Sequence, residues 1–172
     1  MKGRTSNKSA PSQPKLPSEG DFDPYNGCLD AQCAWRNFGG LDLDSAYRKF
    51  CGKPFYYQED FMFMGPVAFR FYFSVIDRYL REVRRNDEFG DCEAWILGKA
   101  IATQMETGVN DELLVSIDAL CKYVRAHLAQ YAVSPRDQKR IDKAWSSVET
   151  KLTKQRKIGL TNAVSNRRSA AH

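Results

Sequence analysis

Pro66-Val67-Ala68-Phe69-Arg70-Phe71-Tyr72-Phe73-Ser74-Val75-Ile76-Asp77-Arg78-Tyr79-Leu80-Arg81-Glu82-Val83-Arg84-Arg85 is the stretch on which the fold turns. Its start, Phe69 to Val75, is aromatic enough to pass for a β-strand. The longer pattern decides against that. Phe69, Tyr72, Phe73, Ile76, Leu80 and Val83 recur at helical spacing, while Arg70, Ser74, Asp77, Arg78, Arg81, Arg84 and Arg85 fall on the opposite face. Pro66 suits the first turn, where its missing N–H loses no partner. The segment predicts an amphipathic helix with one face in a core.

Working outward, the same period recurs. Asp91 can cap a helix to about Met105 carrying Ala94, Leu97, Ile101 and Met105, with Gly108 as its stop. Asn110 or Asp111 opens a long helix to Tyr131 with a stripe of Leu113, Leu114, Ile117, Leu120, Cys121, Val124 and Leu128. Ser134-Pro135 is an N-cap followed by proline, and Ile141, Trp145, Val148 and Leu152 form the next inward stripe. Towards the N-terminus the helices shorten. Asp30 to Phe38 ends at Gly39-Gly40, Asp44 caps Ser45 to Cys51, and a third short element covers Tyr56 to Met64. No segment alternates with period two between turn residues, so the expected fold is all-α. It is a single-domain helical bundle of about four longer helices with short N-terminal helices.

The chain has 172 residues and a formal charge of +5. That is enough for one core without disulfides or a structural metal. The charge is unevenly placed. Residues 1 to 20 hold four basic residues against one acid, and residues 151 to 172 hold six and none, whereas residues 21 to 150 hold 16 basic against 20 acidic. The expected organisation is therefore a disordered basic leader over 1–20, a helical domain over 21–153 and a flexible basic tail over 154–172. On this reading, removing residues 1 to 20 and 155 to 172 abolishes polyanion binding and leaves the fold intact. The leader has no apolar core of a secretory signal, and the longest uncharged run in the most apolar region, Phe61 to Phe69, is far too short to span a bilayer. Five scattered cysteines, Cys28, Cys33, Cys51, Cys92 and Cys121, fit reduced thiols in a cytoplasmic protein, acting as small buried apolar groups.

Motifs for chemistry are few. Gly52-Lys53 lacks the earlier glycine and the Ser or Thr of a phosphate-binding loop, and reads as a helix stop. His127 and His172 offer no triad, and Cys28 and Cys33 do not have zinc-ligand spacing. No catalytic residue, cofactor or metal is expected. The arginines from Arg70 to Arg85 are interrupted by Asp77 and Glu82, which can pair at i, i+4 with Arg81 and Arg78.

One segment asks for a specific explanation: Tyr56-Tyr57-Gln58-Glu59-Asp60-Phe61-Met62-Phe63-Met64-Gly65-Pro66 sets two carboxylates inside an aromatic and methionine run. A carboxylate leaves water only with compensation. Glu59 and Asp60 therefore face solvent, pair with a base such as Arg70, or reach free N–H groups at a helix start. Tyr57, Glu59, Asp60, Met64, Arg70 and Tyr72 are the candidate interaction or structural site.

Phe50-Cys51-Gly52-Lys53, Tyr57-Gln58-Glu59-Asp60-Phe61-Met62-Phe63-Met64-Gly65-Pro66-Val67-Ala68-Phe69-Arg70-Phe71-Tyr72-Phe73 and Ile76-Asp77-Arg78-Tyr79-Leu80 together resemble a family of small uncharacterised bacterial proteins. These share Gly-Lys, a short helix, Glu-Asp, a Met-Gly-Pro turn and an aromatic helix, and some members resemble immunity proteins of contact-dependent or polymorphic toxin systems. The likeness covers Phe50 to Val83 and implies a cytoplasmic bacterial protein. The leading expectation is a non-enzymatic protein that binds a protein partner, with an acidic body that steers a basic partner. Its rivals are a helical protein that binds nucleic acid weakly through basic tails, and a hydrolase using Glu59 or Asp60. The hydrolase reading requires Asp60→Asn to abolish activity without moving the melting temperature.

Overall fold

A computed structural model describes residues 15–83 and 93–169, with side-chain burial given as far as Lys157. Every regular element among them is a helix, and the all-α single-domain reading holds. Five short helices come first: α1 (Glu19–Phe22), α2 (Leu29–Phe38), α3 (Leu43–Gly52), α4 (Pro54–Tyr57) and α5 (Asp60–Phe63). The longer α6 (Pro66–Glu82), α7 (Ala94–Thr107), α8 (Asp111–Ala126) and α10 (Pro135–Ser169) form the bundle, with the single turn α9 (Leu128–Tyr131) between the last two. No helix among the described residues is long and apolar enough to cross a membrane.

The helix that decided the fold is its axis. α6 packs on α1 and α3 on one side and on α7 and α8 on another. It therefore buries Ala68, Val75 and Tyr79 as well as the expected Phe69, Tyr72, Phe73, Ile76 and Leu80. The polar face carries the two expected pairs, Arg78–Glu82 at 3.1 Å and Arg81–Asp77 at 2.9 Å. Four of the five short helices bury a large aromatic, Phe22, Phe38, Phe50 and Phe61. Phe50 meets Phe61 at 5.2 Å and Tyr79 at 4.7 Å between ring centroids, and Phe38 meets Phe61 at 5.2 Å. Edge and tilted pairs of this kind add about 0.5–1.5 kcal/mol beyond area burial.

Several boundaries differ from the sequence reading. α3 is capped by Asp42, whose carboxylate accepts the Ser45 N–H at 2.7 Å, and Asp44 turns outward to pair with Arg78 at 3.1 Å. The element expected over Tyr56 to Met64 is two helices, α4 and α5, separated at Gln58-Glu59. The long helix after Asn110 breaks at His127, whose backbone (φ −125°, ψ 34°) leaves the helical region. Asp91 lies outside the described residues, and α7 begins after Glu93. Cys121 is buried as expected, but Cys28 and Cys51 are exposed and Cys33 is half-buried, because they sit on the outer faces of short helices. Cys92 lies outside the described residues.

The bounds of the folded body also differ from those expected. The folded body begins before residue 20: Pro17 is buried, and the Ser18 N–H donates to the Asp21 carboxylate at 2.8 Å. Residues 1–14 of the expected leader lie outside the described residues. At the other end the helix does not stop at 153 but continues through Ser169, with Gln155 donating to the Met105 carbonyl at 2.8 Å and Arg156 pairing with Asp118 at 2.9 Å. A cut at residue 155 therefore removes contacts of the folded body.

Two glycines are fixed by close approach. The Gly65 N–H donates to the Phe22 carbonyl at 2.8 Å, and a Cβ there would stand 2.3 Å from the Asp21 carbonyl oxygen. On α7, a Cβ on Gly98 would stand 2.8 Å from Nε1 of Trp145, the buried indole of α10 that donates to the Ala94 carbonyl at 2.8 Å. Gly98→Ala is expected to destabilise the fold by about 1–3 kcal/mol through overpacking. Gly52→Ala, in open space at the end of α3, should be neutral or stabilising by up to about 1 kcal/mol. Urea denaturation of the two variants beside the unaltered chain measures the contrast.

Candidate functional site

Asp60 is the first residue of α5 and only 8% exposed. Its Oδ2 accepts the Asn37 side-chain N–H of α2 at 2.8 Å. Lys49 of α3 approaches from another side, its Nζ donating to the Asn37 backbone carbonyl at 2.5 Å and lying 5.2 Å from the centre of the Tyr57 ring. The same Asn37 amide lies 3.8 Å from the Cys33 sulfur. Three helices thus meet at one buried carboxylate, which ties α5 to α2 and α3.

Burial pushes the Asp60 carboxyl up to about 6. The Asn37 hydrogen bond and the Lys49 charge pull it back towards the ordinary range, and the Asp30 and Glu59 charges push it further up. Desolvation prevails because one amide donor and one ammonium replace only part of a carboxylate's hydration shell.

The expected site residues separate into three groups. Tyr57 and Asp60 share Lys49 as a neighbour, its ammonium over the Tyr57 ring and its charge acting on Asp60. Met64 and Tyr72 are buried structural residues: the Met64 carbonyl accepts Gln104 Nε2 at 2.7 Å, and the Tyr72 hydroxyl lies 2.7 Å from the Phe38 carbonyl and 2.8 Å from that of Leu41. Burial pushes the Tyr72 hydroxyl up to about 12. Glu59 and Arg70 are exposed, and Arg70 is not the partner of Asp60. Asn37 and Lys49 take that role from 23 and 11 residues away in the chain, a placement with no local signal in the sequence.

The two carboxylates therefore stand in different environments, Asp60 buried and Glu59 in water. Among the described residues no group of three or more His, Cys, Asp or Glu side chains could hold a metal ion. What the arrangement does is set the surface above it. α4 lies directly before α5 and presents Phe55 at 81% and Tyr56 at 67% exposure, while Tyr57, the next residue, is anchored edge-on to Phe38 at 5.7 Å. Comparison of the chain with family models, curated proteins and solved structures finds no match.

A carboxylate whose folded pKa lies above its unfolded value costs stability when ionised. The cost is absent below about pH 4, where the ordinary aspartate is protonated, grows as pH rises, and is complete above about pH 6. Asp60→Asn keeps an acceptor for Asn37 and removes the charge, so its melting temperature should exceed that of the unaltered chain at about pH 7.5. The gain should shrink towards zero as the pH falls to about 4. Thermal melts across that range test the sign, and a lower melting temperature at the upper end would show that the Lys49 attraction outweighs desolvation.

Proposed function

We infer that this protein is a small non-enzymatic binding protein that docks a protein partner, in keeping with the resemblance to bacterial immunity-like proteins. The observation that carries this reading is the pair Phe55 and Tyr56, two adjacent aromatic side chains held in water on a helix whose next residue, half-buried, packs against the core. Leaving them exposed forfeits about 1.5–3 kcal/mol of burial each, and a partner that covers them recovers it. The last turn of α4 is held by the Lys49–Tyr57 contact, so little conformational entropy opposes docking. Large aromatic anchors on a preorganised support are what interface hot spots are made of.

Charged neighbours of both signs add selectivity. Lys53 is exposed two residues before Phe55 and Glu59 three residues after Tyr56, so a partner surface that offers both signs of charge would be matched here.

The double variant Phe55→Ser/Tyr56→Ser tests the reading. Affinity capture from the source cells with quantitative mass spectrometry should recover a partner with the unaltered chain and lose it by tenfold or more with the variant, roughly 1.4 kcal/mol or above. Circular dichroism and the melting temperature should be unchanged, since neither side chain is part of the core. Equal recovery by both proteins, or a chain that retains no partner while turning over a metabolite, overturns it.

A further inference from the structure

A second surface, built mainly by α7 and α10, has different chemistry. Between α7 and α10 lies a cleft of about 640 Å³ whose wall is cationic: Lys99 from α7, and Arg140, Lys143 and Lys151 from α10. None of its lining residues is acidic. Lys151 is paired with Glu106, but among the described residues no carboxylate forms an ion pair with Lys99, Arg140 or Lys143. Helical spacing builds this face. Trp95, Lys99 and Thr103 stand four residues apart on α7, and Arg140, Lys143, Ser147 and Lys151 follow one stripe of α10.

The floor is apolar and aromatic. Met62 and Ala144 line it, and Trp95 carries two cations on one indole, with the Arg140 guanidinium carbon 3.4 Å and the Lys99 ammonium 4.7 Å from a ring centre. Two like charges sharing a ring attract the ring and repel each other. An anion seated between them turns that repulsion into attraction. Arg presents a fork of donors to phosphate oxygens, lysines add point charges, and the Thr103 and Ser147 hydroxyls can donate as well.

Size and boundaries narrow the ligand. The volume is several times what inorganic phosphate needs and falls within the roughly 300–1,000 Å³ of small-molecule sites. α7 contributes a single cation, Lys99, standing between Glu93 and Glu106, which lie about 20 Å apart at helical rise. A polynucleotide would need a longer uninterrupted stripe. We propose that this cleft binds a nucleotide, its phosphates held by Lys99, Arg140 and Lys143 and its base stacked on the Trp95–Arg140 platform. Guanidinium planes and indoles are both suitable faces for a base.

Isothermal titration calorimetry on the full chain decides it, with adenosine triphosphate, adenosine, pyrophosphate and an oligothymidylate as probes. Adenosine triphosphate should bind at one site, with adenosine and pyrophosphate each at least about tenfold weaker, since each supplies only half of the recognition. Arg140→Gln and Lys143→Gln, both at exposed positions, should each weaken adenosine triphosphate by about tenfold, the worth of a charge-assisted hydrogen bond, without lowering the melting temperature. Phe55→Ser/Tyr56→Ser should bind it unchanged. Absence of binding at millimolar adenosine triphosphate, equal affinity for pyrophosphate, or tighter binding of the oligothymidylate in competition overturns the assignment, as does full affinity in the two cleft variants.

Discussion

A helix that ends inside a protein leaves carbonyl groups facing away from water, and here such ends are closed by side chains from distant parts of the chain. The Tyr72 hydroxyl closes the end of α2 at Phe38 and Leu41. The two N–H groups of the Gln104 side chain on α7 are shared among the carbonyls of Phe61, Met62 and Met64 at the end of α5, all within 3.0 Å. Gln130 and Tyr131 of α9 serve Leu80 and Val83 at the end of α6, and Gln155 of α10 serves Met105 near the end of α7. An unsatisfied buried carbonyl costs about 1–3 kcal/mol. The ends of α2 and α5 are therefore satisfied only when α6 and α7 are in place, which couples these parts of the N-terminal cover to the bundle.

The same constraint explains the break at His127. A helix running straight from Asn110 to Tyr131 keeps the 3.6-residue stripe on one line. Turning at His127 lets Gln130 and Tyr131 reach the α6 carbonyls, and His127 stacks on Tyr123 at 4.3 Å where the two segments part. The polar cluster at Asp60 belongs to the same economy. Its desolvation is tolerated because Asn37 and Lys49 also fasten the last turn of α2, so one set of contacts places α5 and supports the exposed aromatics of α4.

Legibility in the sequence followed the range of each interaction. Helical stripes and most caps are local: Asn110 accepts the Leu113 N–H and Ser134 that of Asp137, as their spacing predicted. The choice of Asp42 over Asp44 was not legible, because both are capping residues three positions before a plausible partner. Arg70 looked like a counter-ion for Asp60 by proximity along the chain, but α6 turns it to solvent. The net charge concealed the cleft altogether. Residues 21 to 150 are acidic in sum, yet Lys99, Arg140 and Lys143 face one another because two helices pack there, while the carboxylates of the same stretch pair elsewhere.

By itself the sequence determined the helical class, the inward faces of the four longer helices and the starts of α6, α8 and α10. Periodicity, capping and proline chemistry act within a turn or two of chain, so the sequence alone carries them. Tertiary structure alone decided which carbonyls are capped by which glutamine or tyrosine, that Asp60 answers to Asn37 and Lys49, and that cations from α7 and α10 share the Trp95 indole. Those depend on helix packing across many residues, where geometry in space rather than spacing in the chain sets which groups leave water together.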